Sequence, residues 1–181
     1  MSDEIGRHVK DIAPGGLPLG TFTAQLIQDE RAMRELCGPA VLVMCRSTTA
    51  ARPRPLQRTI FEETDTAETG FTVLPVRKNG IERGGPATPI TVGRAPSCDI
   101  MIADVTLSKL HAFFRKDGDG FLLEDGGSRN GTLVNGAPVA VRGAGPAVRV
   151  PSPSLVRFGS VTVSFLMLPA LCEMLRGLVR P

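Results

Sequence analysis

Polar residues in three short fragments form the clearest chemical feature of this chain. The fragments are GR (residues 93–94), SKLH (108–111) and SRNGT (128–132), and all lie within residues 92–136. An Arg guanidinium makes two parallel hydrogen bonds to a phosphate or carboxylate, a Lys supplies a mobile positive charge, and a Ser hydroxyl donates a hydrogen bond. If the three fragments converge, they form a rim that binds an anion.

Each fragment taken alone also has a structural interpretation. An Arg at a strand end, such as Arg94, is in most proteins a solvated surface charge. Ser108 is able to bond its own loop backbone, which would leave Lys109 merely exposed. Asn130 before Gly131 is a turn signature, although its side-chain amide also suits the backbone of an extended peptide.

The remaining residues of these fragments suggest support for the loops. His111 begins a strand and is interpreted as a partly buried structural histidine that bonds a neighbouring loop. Ser128 and Thr132 are expected to pin the SRNGT loop, while Arg129 offers a second cation. Function therefore depends on how the fragments are positioned.

After Gly70 the chain consists of short apolar runs separated by turn residues such as Asn135-Gly136. Runs at roughly 8–12-residue spacing between Asn-Gly and Asp-Gly turns predict an all-β sandwich. A short helix is expected over residues 169–181, where Pro169 fits a first helical turn and four apolar residues share a face: Leu171, Met174, Leu175 and Leu178.

The first 70 residues have a different composition. One amphipathic helix is predicted over residues 21–37, with Thr21 or Thr23 as N-cap, and the apolar run 40–45 is either a strand or an extension of that helix. The Thr-, Pro-, Arg- and Glu-rich segment that follows is interpreted as a linker. The predicted organisation is an N-terminal extension (1–45), a linker (46–70), a β-sandwich (71–168) and a C-terminal helix (169–181).

The overall composition argues against several functional classes. The hydrophobic content of 42% is sufficient for a core, and a net charge of +3 is too small for a polybasic nucleic-acid binder. The chain has no Trp or Tyr for base stacking and no CxxC pair for a zinc site. Its start lacks the apolar region of a secretory signal, and no apolar run reaches the ~20 residues of a membrane span. We expect a cytoplasmic protein without cofactor, metal, nucleic-acid partner or membrane partner.

The order and spacing of GR, SKLH and D-x-x-S-x-N-G-T, followed by V-N-G, closely resemble the forkhead-associated (FHA) domain. The resemblance covers about residues 71–168 and implies a sandwich of about eleven strands whose loops at one end dock phosphothreonine peptides. The chain departs from the common family pattern at residues 142–154, where RGAGPAVRVPSPS replaces the usual Gly-Asp turn. This departure leaves the shape of that loop open.

The resemblance also assigns roles to individual residues. It implies that Arg94 and Ser108 contact the phosphate, that Lys109 adds a further contact, and that Asn130 holds the ligand main chain just beyond the phosphothreonine. Arg129 occupies a neighbouring, more variable position and is kept as a phosphopeptide-binding candidate. The residues expected to hold the loops are Gly93, His111, Asp125, Gly131 and Thr132.

These observations are compatible with two binding functions, and a catalytic function is the third class to consider. The first is a phosphothreonine-binding adaptor in Ser/Thr-kinase signalling, whose partner is a kinase or a kinase substrate. Its own phosphorylated linker is a further candidate ligand, through four threonines: Thr59, Thr64, Thr66 and Thr69. The second is a phosphate-independent scaffold in a larger assembly. An enzyme is disfavoured because the sequence has no GxxxxGK[ST], GxSxG or HExxH motif.

Overall fold

A computed structural model of the chain describes residues 16–18, 22, 24–46, 70–78 and 88–179. The helices in these residues are α1 (Ala24–Gln28), α2 (Glu30–Cys37) and α3 (Leu168–Val179). The strands are β1 (Leu17–Pro18), β2 (Ala40–Arg46), β3 (Gly70–Pro75), β4 (Ile90–Gly93), β5 (Ile100–Met101), β6 (Ala112–Asp117), β7 (Gly120–Asp125), β8 (Thr132–Val134), β9 (Ala137–Pro138), β10 (Val148–Arg149), β11 (Ser154–Phe158) and β12 (Val161–Met167).

The strands form two sheets. One has seven strands in the order β1-β3-β2-β12-β11-β8-β9, and the other has five in the order β10-β7-β6-β4-β5. Neighbouring strands are antiparallel except β4 and β5, which are parallel. The predicted all-β sandwich of about eleven strands is thus confirmed, with twelve strands in the described residues.

Phenylalanines fill the space between the two sheets. Phe114 lies at the centre, with its ring centroid 5.8 Å from that of Phe165, 6.2 Å from Phe121 and 6.4 Å from Phe158. On β7 the alternation of buried Phe121 and Leu123 with half-buried neighbours shows the period of two of a strand with one face in the core. This packing fixes the position of one sheet against the other.

A second apolar cluster covers the opposite face of the seven-stranded sheet. Val41 and Val43 of β2 point into this cluster, where they meet helix residues that include Met33 and Leu171. Leu42, between the two valines, points into the core between the sheets. Because β2 is buried on both faces, its sequence is an apolar run without alternation.

The position of strand β2 differs from the prediction that residues 1–45 form an extension outside the sandwich. It pairs with β12 on one side and with β3 on the other, so it lies inside the seven-stranded sheet. The run 40–45, left open between strand and helix, is a strand. The sandwich therefore begins before residue 71.

The N-terminal helical region also differs from the prediction of a single helix over residues 21–37. Asp29 separates α1 from α2 and caps α2, because its Oδ1 accepts a hydrogen bond from the Ala32 N–H at 3.0 Å. The predicted N-caps Thr21 and Thr23 lie outside the described residues. The C-terminal helix begins at Leu168, one residue before its predicted start.

Residues 47–69 of the predicted linker lie outside the described residues. Its two flanking residues are partners in the sheet, since Arg46 of β2 pairs with Gly70 of β3. Residues 47–69 therefore connect two adjacent strands of one sheet. They do not join an extension to a separate sandwich.

The atypical segment 142–154 contributes to the five-stranded sheet. Strand β10 pairs with β7 along Val148 and Arg149. The Arg149 guanidinium donates hydrogen bonds to Asp117 at 2.8 Å and to Asp119 at 2.7 Å, and these bonds connect the segment to the β6–β7 turn.

In the described part of the chain, no helix is long and apolar enough to cross a membrane.

The position of β2 predicts the effect of truncating its buried side chain. Leu42→Ala should lower the free energy of unfolding by about 2–5 kcal/mol, because it leaves a cavity in the main core. Chemical denaturation checks this value. Arg31→Ala, at a 90% exposed side chain on α2, is the control and should change it by less than about 0.5 kcal/mol. An unchanged denaturation midpoint for Leu42→Ala would place β2 outside the cooperative unit.

Candidate functional site

The three polar fragments meet at the backbone of Ser108 and Lys109. The Arg94 N–H donates to the Ser108 carbonyl at 3.0 Å, and the Ala95 N–H donates to the Lys109 carbonyl at 3.1 Å. The Arg129 N–H donates to the Ser108 Oγ at 3.1 Å. The structure thus brings GR, SKLH and SRNGT together at one end of the sandwich.

Gly93 permits this close approach. A Cβ at this position would lie 2.3 Å from the Lys109 carbonyl oxygen and 2.9 Å from its carbonyl carbon. Since both atoms belong to the backbone, a side chain at residue 93 would force the two loops apart. The Cys98 Sγ lies 3.1 Å from the same carbonyl oxygen and closes the space behind it.

His111 bonds the SKLH and SRNGT fragments from beneath and pairs with the strand that leads into GR. Its side chain is fully buried, and its Nδ1 accepts a hydrogen bond from the Ser108 N–H at 3.1 Å. The ring proton therefore lies on Nε2, which donates to the Gly131 carbonyl at 3.1 Å. The His111 N–H donates to the Val92 carbonyl at 2.7 Å. His111 thus bonds a neighbouring loop, and it is fully buried where the sequence analysis expected partial burial.

Asp125 organises the loop that carries Asn130. Its buried carboxylate accepts hydrogen bonds from the Gly127 N–H, from both the N–H and the hydroxyl of Ser128, and from the Thr132 hydroxyl, at 2.6–2.8 Å. Burial raises the pKa of Asp125, but the hydrogen bonds from Thr132, Ser128 and Gly127 together outweigh it and hold the pKa below its ordinary value. The carboxylate is therefore charged at neutral pH and holds the loop closed.

Asn130 joins this loop to the segment before SKLH. Its Nδ2 donates to the Thr106 carbonyl at 2.8 Å, while the residue as a whole is exposed. One amide hydrogen thus fixes the side chain, and the amide oxygen is the group that remains suited to an N–H of a ligand. Gly131 follows with a φ of +73°, a backbone conformation that glycine adopts without strain.

A second polar network, not anticipated from the sequence, positions Thr106. The Thr106 hydroxyl donates to Asp104 Oδ1 at 2.5 Å and lies 2.8 Å from the Ser160 Oγ in the β11–β12 turn. The Thr106 N–H also donates to Asp104 Oδ1, at 2.8 Å. The D-x-T spacing is the signal in the sequence, because Asp side chains commonly bond the backbone two residues on.

Another unanticipated network supports the loop that follows Arg94. The Asp99 Oδ2 accepts hydrogen bonds from the Thr91 N–H at 2.8 Å and from the Thr91 hydroxyl at 2.7 Å, and it pairs with Lys78 Nζ at 2.9 Å. The Asp99 N–H in turn donates to the Thr91 hydroxyl oxygen at 2.9 Å. These contacts fix both ends of the turn that presents Arg94.

The cations of the site point outward. Arg94, Lys109 and Arg129 are all exposed, and none of them takes part in an ion pair within the described residues. Ser108 is partly buried between them. Three residues with exposed cationic side chains are thus brought together with Ser108 through their backbones. No group of His, Cys, Asp or Glu in the described part of the chain is arranged to hold a metal ion.

Comparison with known protein families gives an independent result. The model of the FHA domain matches residues 90–159 of this chain. The chain contains an FHA domain. The matched range includes GR, SKLH and SRNGT, so the polar fragments that converge in the structure belong to the part that defines the family.

Two curated relatives match part of this chain. An oxoglutarate dehydrogenase inhibitor from Corynebacterium jeikeium is 52% identical over 46 residues, which are 25% of this chain and 32% of the relative. The glycogen accumulation regulator GarA from Mycolicibacterium smegmatis is 47% identical over 62 residues, which are 33% of this chain and 39% of GarA. The chain thus spans about a third of the length of these relatives.

Solved structures of FHA domains resemble the chain more distantly. An FHA domain studied for phosphothreonine-dependent interactions is 20% identical, covers 71% of this chain and 96% of its own, and has a TM-score of 0.44. An FHA domain from Chlamydia trachomatis is 18% identical, covers 70% of this chain and 96% of its own, and has a TM-score of 0.45.

The hydrogen bonds to Asp125 predict a pH dependence of stability. Because the pKa of Asp125 is lower in the folded than in the unfolded chain, its contribution is fully present above about pH 4, the ordinary pKa of an aspartate, and is lost as pH falls through the folded pKa. Denaturation of the wild type and of Asp125→Asn between pH 7 and pH 2.5 should therefore show a stability difference that narrows in acid. A difference that stays constant across this range would contradict the assigned role of the carboxylate.

Proposed function

We propose that this protein is a phosphothreonine-peptide-binding adaptor module in Ser/Thr-kinase signalling, without catalytic activity, and that it acts in the cytoplasm. The observation that carries the proposal is that backbone hydrogen bonds bring Arg94 and Arg129 to Ser108, next to Lys109, at one end of an FHA domain. The names of the two curated relatives, an inhibitor and a regulator, support a regulatory role.

The charge and hydrogen-bonding capacity of the site suit a phosphate group. A phosphothreonine carries about −1.5 to −2 charges near pH 7 and three acceptor oxygens. Arg94 supplies a planar pair of donors, Lys109 a mobile charge and Ser108 a neutral hydroxyl donor. Since the supporting loops are already held by buried hydrogen bonds of His111 and Asp125, little order has to be gained on binding.

Asn130 supplies the contact that makes the ligand a peptide. Because its Nδ2 donates to the Thr106 carbonyl, the amide of Asn130 is held in one orientation, and its Oδ1 is the acceptor proposed for the ligand. An amide oxygen so placed accepts an N–H of the ligand main chain just beyond the phosphothreonine. This contact distinguishes a phosphopeptide from inorganic phosphate, which offers no main chain.

The partner is a protein phosphorylated on threonine, either a kinase or a kinase substrate. The segment 47–69 of the same chain is a further candidate, through four threonines: Thr59, Thr64, Thr66 and Thr69. Its flanking residues lie at the same end of the sandwich as the site, because β12 starts next to Ser160 and β2, antiparallel to β12, ends at Arg46. A short tether of this kind gives effective concentrations in the millimolar range.

Phosphorylation of this segment is directly measurable. After co-expression with a Ser/Thr kinase, we expect intact-mass analysis to show added phosphate, and peptide mapping to place it among residues 59–69. The phosphorylated protein should then bind an external phosphothreonine peptide more weakly than the unmodified protein, because the tethered phosphate competes for Arg94. If the kinase phosphorylates other residues of the chain but leaves residues 59–69 unmodified, the segment is not a ligand.

Removal of the Arg94 side chain tests the proposed function itself. Arg94→Ala should weaken binding of a phosphothreonine peptide by about 2–5 kcal/mol, on the order of thirtyfold to several-thousandfold, since it removes a charge-assisted contact. Isothermal titration calorimetry measures the affinity, and circular dichroism verifies the fold. Lys116→Ala, an exposed cation near the far end of β6, is the matched control and should bind as the wild type does.

Two outcomes would reject the pocket. A folded Arg94→Ala protein that binds with wild-type affinity would show that the phosphate sits elsewhere. Equal recovery of partners with and without phosphatase treatment would favour the phosphate-independent scaffold, in which helices α1 and α2 are the expected contact surface.

A further inference from the structure

The site holds more cationic side chains than one phosphate needs as direct partners. Arg94, Lys109 and Arg129 are all exposed, whereas a phosphothreonine carries about −1.5 to −2 charges. A cation that does not contact the phosphate pairs either with an acidic side chain of the protein or with another group of the ligand. The location of the nearby carboxylates decides between these two possibilities.

The carboxylates near the site are engaged with their own loops. Asp125 is buried and accepts four hydrogen bonds from the loop that follows it. Asp104 accepts from Thr106, and Asp99 accepts from Thr91 and pairs with Lys78. The ion pairs of the described residues use five cations outside the site: Arg31, Arg34, Lys78, Arg142 and Arg149. Asp104 and Asp125 keep their negative charges, but no ion pair in the described residues joins them to Arg94, Lys109 or Arg129. The protein therefore leaves these cations for anionic groups of a ligand.

Arg129 is the cation best placed to receive the additional negative charge. Its backbone is fixed beside Ser108 by a hydrogen bond of 3.1 Å, and its neighbour Asn130 is fixed by the bond to the Thr106 carbonyl. The side chain projects from this anchored loop and is exposed. Because Asn130 is proposed to hold the ligand main chain, Arg129, its neighbour in the chain, is the cation assigned to the flanking residues of the peptide.

We infer that Arg129 selects phosphothreonine peptides that carry a second anionic group next to the phosphothreonine. This inference rests on the proposed function and extends it to the ligand sequence. The guanidinium fork accepts a carboxylate and a phosphate in the same bidentate geometry. An acidic side chain and a second phosphorylated residue therefore share the chemistry that Arg129 recognises.

Three synthetic peptides separate these sources. All contain one phosphothreonine: the first has neutral flanks, the second has a single Glu moved stepwise through the flanking positions, and the third has a second phosphothreonine at those positions. Wild-type protein should bind the best Glu peptide about twofold to fivefold more tightly than the neutral peptide, the range expected of an exposed ion pair. The preference should shrink as salt is raised, since the pair is solvent-exposed.

Arg129→Gln supplies the protein side of a double-mutant cycle. Its side chain is exposed and the supporting hydrogen bond comes from the backbone N–H, so the variant should fold normally. We expect Arg129→Gln to weaken binding of the Glu and doubly phosphorylated peptides by a larger factor than binding of the neutral peptide, so that the preference for a second anionic group is lost. Lys116→Gln, near the far end of β6, should keep the full preference and controls for net charge.

The possible failures are distinguishable. If no phosphothreonine peptide binds, or if Arg94→Ala binds the neutral peptide normally, the proposed function fails. If wild type binds neutral and acidic peptides equally, only the selection of a second anion fails. If Arg129→Gln weakens binding of all three peptides by the same factor, Arg129 contacts the phosphothreonine itself and the inference is overturned.

Discussion

A single buried imidazole holds the functional end of this molecule together. His111 accepts from the Ser108 N–H and donates to the Gly131 carbonyl, and its own backbone pairs with Val92 and Gly126. Loops from both sheets therefore share one polar group in an otherwise apolar place beside Phe158. Loss of either bond would leave a buried donor or acceptor without a partner, which costs about 1–3 kcal/mol. The separation between the two loops is set by the width of one ring.

The second organising constraint is the burial of the seven-stranded sheet on both faces. One face packs against the five-stranded sheet, and the other is covered by the helices at the two ends of the chain. Strand β2 contributes to both packing layers, with Leu42 on one side and Val41 and Val43 on the other. The helices thus cover the outer face of the sheet that carries the β11–β12 turn. They affect the site only through this sheet.

Local features of the sequence were sufficient to predict much of this molecule. Turn residues, strand spacing and the joint occurrence of three polar fragments predicted the sandwich and brought together the residues that the structure places around Ser108. Local patterns did not predict the place of β2, because pairing between Ala40 and Met167 depends on contacts far apart in sequence. The break at Asp29 was missed because an apolar period continues across it, although the residue caps α2. The Thr106 network was missed since Ser160, its partner, lies 54 residues away.

The position of β2 also has a consequence for the time course of folding. Val43 pairs with Ser164, which lies 121 residues further along the chain (164 − 43). At about 5–20 residues per second, a ribosome needs roughly 6–24 s to make that stretch, so β2 exists for seconds before its β12 partner. Pairings of such high sequence separation also close slowly, because the entropy of a long loop is lost before the contact forms. Once β3 is made, β2 has a partner on one side only until β12 follows, so the newly made chain carries an apolar strand with one open edge.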